Sequence, residues 1–286
     1  MTTPHHQYGL SLIELMIALA IGVVFTLGLT EVFGNHNQSA RMQQAVSAVQ
    51  ERGRFALQLF QQELMLADYT GCAPDGLSTL NNLTATTITG LAGQEGGAIA
   101  ADSINISYAD PNSQSFIATG QLQPGHNFNT GDTIVHSDCL AGDIFTINGP
   151  INNNIITLPA EVNAGRTTQL ATPYQLITNQ YTIAPGINGQ NSLFRNGLEL
   201  IPGIDFLQVL YGVDPQGANA PTAYVTANNV PDMNDVISIR IGFIASSDED
   251  NIGQNNAALT VLSHNFNPPD NRLRRVFSLT TRIRNR

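Results

Sequence analysis

A single carboxylate, Glu14, sits inside the longest apolar run of the sequence, GLSLIELMIALAIGVVFTLGL from Gly9 to Leu29. The 20 residues after Gly9 are apolar or small apart from this Glu, enough for a helix to cross a bilayer core at about 1.5 Å per residue. An acidic side chain in the middle of such a segment costs roughly 2.5–3.5 kcal/mol on insertion scales. The chemistry on offer is therefore charge compensation, and it demands a cationic partner. A second candidate group lies at the other end, where Arg272, Arg274, Arg275, Arg282, Arg284 and Arg286 make up half of the 12 basic residues of a chain of net charge −10. On a strand, Arg282, Arg284 and Arg286 share one face. Such a stripe can form salt bridges with neighbouring strands, dock another subunit or meet a phosphate backbone. A third group, Ser247-Asp248-Glu249-Asp250-Asn251, offers hard oxygens for calcium but lacks the spaced ligands, central Gly and terminal Glu of an EF-hand loop, and reads as a solvated loop.

Other chemistries find no residues to perform them. There is no GxSxG elbow and no phosphate-cradling loop before a Lys; the chain contains no Lys at all. The two cysteines, Cys72 and Cys139, lack CxxC spacing and the six histidines form no HExxH pattern, so neither a metal site nor a cofactor is expected. Gly93-Gln94-Glu95-Gly96-Gly97 reads as a flexible turn. A pI near 4.8 argues against nonspecific nucleic-acid binding by the body of the protein. No catalytic residue is expected.

Ordinary readings of the first stretch leave something unexplained. A cleaved secretory signal would want a basic start and an uninterrupted apolar core; residues 1–9 hold no Lys or Arg, Glu14 interrupts the core, and apolar residues continue past Ala20 to Phe33. A plain anchor fits the length but not Glu14. The polar leader ending in Gly9, followed by Leu10-Ser11-Leu12-Ile13-Glu14-Leu15-Met16, resembles the class III signal of type IV prepilins and type II secretion pseudopilins. That resemblance implies cleavage by a prepilin peptidase between Gly9 and Leu10, methylation of the new Leu10 amine, and a role for Glu14 in assembly. The spacing has an independent reason. Residues four apart share a helix face, so amine and carboxylate lie on one side, and in a filament the Leu10 amine of one subunit can pair with Glu14 of a neighbour.

The elements that must carry these groups follow from periodicity. Val49, Gly53, Ala56, Phe60 and Ala67, with Met42, Val46, Leu57 and Leu64, recur at three and four residues, which predicts an amphipathic continuation of the first helix after a polar break at Gly34-Asn35-His36-Asn37. The whole would be one helix of roughly 85 Å, bent near Gly34. From Ser103 the period changes to two. Short strands are expected around residues 104–108, 133–135, 144–147 and 155–158, then Leu193 to Ile201, Phe206 to Tyr211, Val236 to Ala245 and Val276 to Ile283. In Val236 to Ala245 the face of Ile237, Ile239, Ile241 and Phe243 should be buried on the long helix.

Arg52-Gly53-Arg54-Phe55-Ala56, LMLADYTGC from Leu64 to Cys72, the run Leu207 to Asp214, Val236 to Ile241 and the Arg-rich ending are similar to the PilW family of minor pilins. In an exported domain of this kind Cys72 and Cys139 most simply form a disulfide, worth about 4 kcal/mol by the chain-entropy argument. The expected fold is α+β and type IV pilin-like, a long N-terminal helix packed against an antiparallel β head with extended loops. Its parts are a leader at 1–9, a transmembrane or filament-core helix at 10–33, an amphipathic continuation at 34–68 and a periplasmic head at 69–286. The resemblance implies a minor pilin that helps initiate pilus assembly and supports twitching motility, adhesion or DNA uptake, first in the inner membrane and then at the fibre tip. Its partners would be the prepilin peptidase, other minor pilins, the major pilin and a large tip adhesin. A type II secretion pseudopilin and an unprocessed, membrane-anchored ligand-binding module are the alternatives.

Overall fold

The three- and four-residue spacing of apolar residues makes one helix, Leu12–Leu66. The computed structural model describes residues 12–73, 76–97, 100–113, 117–118, 121–122, 127–149, 156–157, 159, 162, 172–252 and 257–286. The chain separates into two units, Met1–Ser47 and Ala48–Arg286. In its described part the first unit is helix alone. Helical structure runs unbroken through Gly34-Asn35-His36-Asn37, where the sequence suggested a break. Gly and Asn cost a helix up to about 1 kcal/mol each, which a cooperative helix already propagated on both sides can absorb.

In the second unit the helix residues Val49, Ala56, Phe60, Leu64 and Ala67 are fully buried, and they enter one core with strands from two sheets. The four-stranded sheet runs Ala223–Val225, Ile204–Val213, Val236–Ser246, Arg274–Arg282, all pairs antiparallel. Of the face expected to lie on the helix, Ile239, Ile241 and Phe243 do so, joined by Ala245, and the Phe60 and Phe243 rings lie 6.2 Å apart. Ile237 does not join them: it is half-buried and outside that core, because an irregularity in the register with Ile204–Val213 between Gly212 and Val213 puts Val236 there instead. The opposite face is covered too. Phe206 and Ile244 are buried beneath the hairpin Leu259–Val261/His264–Phe266, so Ile204–Val213 is buried along its whole length.

The larger sheet has eight strands, centred on Thr172–Pro185, which pairs with Ser103–Ala109, Thr133–Ser137 and Asn191–Arg195. This 14-residue strand is the longest in the described chain and was not expected from the sequence. The segment read as one strand from Leu193 to Ile201 is two, Asn191–Arg195 and Leu198–Pro202, joined by Asn196-Gly197 with φ of 53° and 78°. Asn-Gly in that conformation is the two-residue hairpin signal. Gly93 and Gln94, read as part of a flexible turn, lie in the strand Leu91–Gln94. A Cβ on Gly93 would overlap the Tyr211 hydroxyl, so the glycine permits a close approach of sheet and side chain.

Candidate functional site

Glu14 lies in the first turn of the helix and is exposed along with its neighbours. Every residue of the most apolar 18-residue window of this helix is outside the core. Fourteen large apolar side chains between Leu12 and Phe33 are exposed, from Leu12 at 77% to Leu29 at 44%. At about 1.5–3 kcal/mol for each such side chain, water would penalise this surface by roughly 20 kcal/mol or more, so it needs an apolar environment. The helix is consistent with membrane anchoring. Gly9 and Leu10 lie outside the described residues.

Cys72 and Cys139 form a disulfide with Cα atoms 4.6 Å apart. It ties the segment after the helix to the strand Thr133–Ser137 and its following turn. Ser137 reinforces the junction, its hydroxyl donating to the Thr70 carbonyl.

The basic stripe is not one surface. The strand ends at Arg282, and Arg286 turns inward. Its Nε donates to Asp68 Oδ2 at 2.5 Å, with the two side chains 8% and 1% exposed, and its Nη1 donates to the carbonyls of both Met233 and Val236. Arg286, expected beside Arg282 and Arg284 on a docking stripe, is thus a buried guanidinium held by a buried carboxylate. Arg282 and Arg284 remain exposed, Arg282 with an Asn219 Oδ1 contact at 3.1 Å. Arg274 is also internal, 4% exposed, donating to Asp205 at 2.6 Å and to Asp270 at 2.5 Å. Burial would by itself raise the Asp270 carboxyl, but hydrogen bonds from Arg274 and the Arg272 amide, with both guanidinium charges, outweigh it and hold the group below its usual range.

Three polar groupings that the sequence reading missed hold the helix to the head. At the helix end, Asp68 adopts φ 66° and its carboxylate accepts from the Leu77 amide as well as Arg286. Asn285 Nδ2 donates to the Met65 and Ala67 carbonyls at 3.1 and 2.9 Å, capping groups that no helical amide can reach. One turn earlier, Glu63 accepts from Asn179 at 2.9 Å, and Asn179 also reaches the Tyr108 hydroxyl at 3.3 Å. Burial and then the Glu63 charge push the Tyr108 phenol up to about 12, and Tyr181 is raised for the same two reasons. Further back, Arg52 donates to the Ser246 carbonyl at 2.6 Å and to Asp248 at 2.5 Å. That pairing uses part of the acidic cluster. Asp250 accepts from the amides of Asn251 and Asn271, so the cluster is a hydrogen-bonded loop. Sequence signals for these groupings were faint: a lone Asp just after the helix, and single polar residues within an apolar pattern.

Two families match this chain. Residues 4–30 match the prokaryotic N-terminal methylation motif, and residues 164–285 match type IV pilus-assembly protein W. No curated protein and no solved structure matches it. The two matches are consistent with a PilW-type minor type IV pilin, and they support a pilin related to the type IV pilus.

Proposed function

We propose that this chain, matched near one end by a methylation motif and over residues 164–285 by a pilus-assembly family, is a minor type IV pilin that takes part in building the fibre. It is cut between Gly9 and Leu10 by a prepilin peptidase and methylated at Leu10. It is held in the inner membrane by residues 10–33 until it joins a complex of minor pilins with the major pilin and a tip adhesin. One observation carries this reading: an exposed apolar helix whose first turn holds a single carboxylate, inside the segment that matches the methylation motif. The mechanism is assembly. Once cleaved, the Leu10 amine and Glu14 compensate each other's charge within the apolar fibre core, where either one alone would cost about 3–5 kcal/mol. The head, clamped to its helix by Asp68, Glu63 and Arg52, presents the loops and sheet edges that select neighbours. Arg282 and Arg284 are part of that outer surface.

Intact-mass and amino-terminal analysis of the protein from its native membrane, with Glu14→Ala alongside, tests the proposal. The expected result is a chain beginning at methylated Leu10, with a Glu14→Ala protein that is processed yet enters fibres at least tenfold less often. A chain still carrying Met1 to Gly9, with Glu14→Ala behaving as wild type, would sink it. Deletion that abolishes exoprotein secretion while fibres persist would move the protein to a secretion machine.

A further inference from the structure

Sheet edges expose unpaired backbone groups, and natural proteins blunt them with short strands, prolines or bulges. The edges of the two large sheets mostly obey: Asn81–Asn82 has two residues, Ala223–Val225 three, Leu91–Gln94 four, and Leu198–Pro202 five with a terminal proline. The edge strand Arg274–Arg282 does not. It has nine residues, no proline and an uninterrupted register with Val236–Ser246.

The register says which groups are free. The amide of Ile283 donates to the Ile237 carbonyl and that of Ser247 to the Leu273 carbonyl, so the odd-numbered residues of this strand form the hydrogen-bonded pairs with the inner strand. The even-numbered residues point their N–H and C=O groups the other way. Val276, Ser278 and Thr280 are exposed, and among the described residues their backbone groups meet no partner on that side. The sheet behind them is packed against the helix. Phe277 stacks on Phe243 at 5.6 Å and covers Gly53 of the helix.

We propose that this edge receives an extended strand from another subunit, one that carries acidic residues at its ends. Exposed Arg275 and Arg282 lie near the two ends of the edge, Arg284 lies just beyond, and the strand itself contains no acid. Acids on the incoming strand complement that charge. A second copy of this chain is disfavoured: pairing antiparallel about Ser278 puts Thr281 opposite Arg275 and the internal, already paired Arg274 opposite Arg282, so neither exposed arginine would meet a carboxylate. Main-chain hydrogen bonds would supply the affinity and the terminal charges the choice of partner. The source of the strand, another pilin of the fibre, rests on the function proposed above; the pairing itself does not.

The probe is a short synthetic peptide of alternating Thr and Val with Glu or Asp at both ends, added to the full-length protein in detergent. Hydrogen exchange at the amides of Val276, Ser278 and Thr280 should slow at least tenfold and saturably, while Phe277 and Leu279, already bonded, do not change. Ser278→Pro removes an outward N–H that makes no internal bond, so it should keep the melting midpoint and abolish the slowing. The same peptide with Lys at both ends should bind at least tenfold more weakly, and the double variant Arg275→Glu/Arg282→Glu should reverse that preference. The proposal is overturned by an absence of slowing, by equal slowing with the Lys-ended peptide, or by slowing that survives Ser278→Pro. Slowing without peptide that grows with protein concentration would overturn it in favour of a second copy. Amino-terminal analysis of the native protein is independent of all these outcomes, so either conclusion can fail alone.

Discussion

Arg286 shows how a residue's role follows from its partner rather than its type. As one of six arginines near the end of the sequence it reads as part of a surface stripe, but Asp68 lies 218 positions away and receives its guanidinium at 2.5 Å. Removing one member of a buried pair leaves the other charge uncompensated, so Arg286→Ala should cost about 3–5 kcal/mol in urea unfolding, while Arg284→Ala should change little. Asp270 gives a pH dependence. Its folded pKa is depressed below the ordinary carboxylate value of the unfolded chain, so its contribution is present above that ordinary value and is lost as pH falls through the lower, folded one. Urea midpoints should therefore decline below about pH 4, and Arg274→Gln should flatten that decline while lowering stability at neutral pH.

At the scale of elements, the contact between helix and sheet depends on a residue with no side chain. A Cβ on Gly53 would overlap the Phe277 ring, so Gly53→Leu should lose at least about 1–3 kcal/mol by overpacking, read as a lower thermal midpoint. The disulfide joins cysteines 67 positions apart. Reduction, or Cys72→Ser with Cys139→Ser, should destabilise the head by about 4 kcal/mol, with the helix end loosening first in hydrogen exchange. Most elements were legible because their signals are local. The stripe from Val49 to Ala67 and the alternation from Ile239 to Phe243 each bury the face the pattern indicates. Thr172–Pro185 escaped because its burial alternates irregularly and Thr, Asn and Gln interrupt it; three neighbouring strands, not its own pattern, make it a strand.

For the molecule as a whole, the separate character of the two units sets the division of labour. The first exposes apolar surface that water disfavours, and the second buries its apolar surface in a core shared by helix and two sheets. Loss of the amine–carboxylate compensation proposed for Leu10 and Glu14 should thus impair assembly without unfolding the head. Circular dichroism and disulfide status of Glu14→Ala should match wild type while fibre incorporation falls. The apolar run with its lone carboxylate, the amphipathic stripe and the β-rich remainder are legible along the chain, because spacing decides which side chains share a face. That Arg286 and Arg274 are internal, that Asn285 caps the helix, and that Arg274–Arg282 has an open edge among the described residues emerges only on folding. Each of those depends on groups far apart in sequence being brought within bonding distance, or on no described strand lying beside an edge, and no local pattern encodes either.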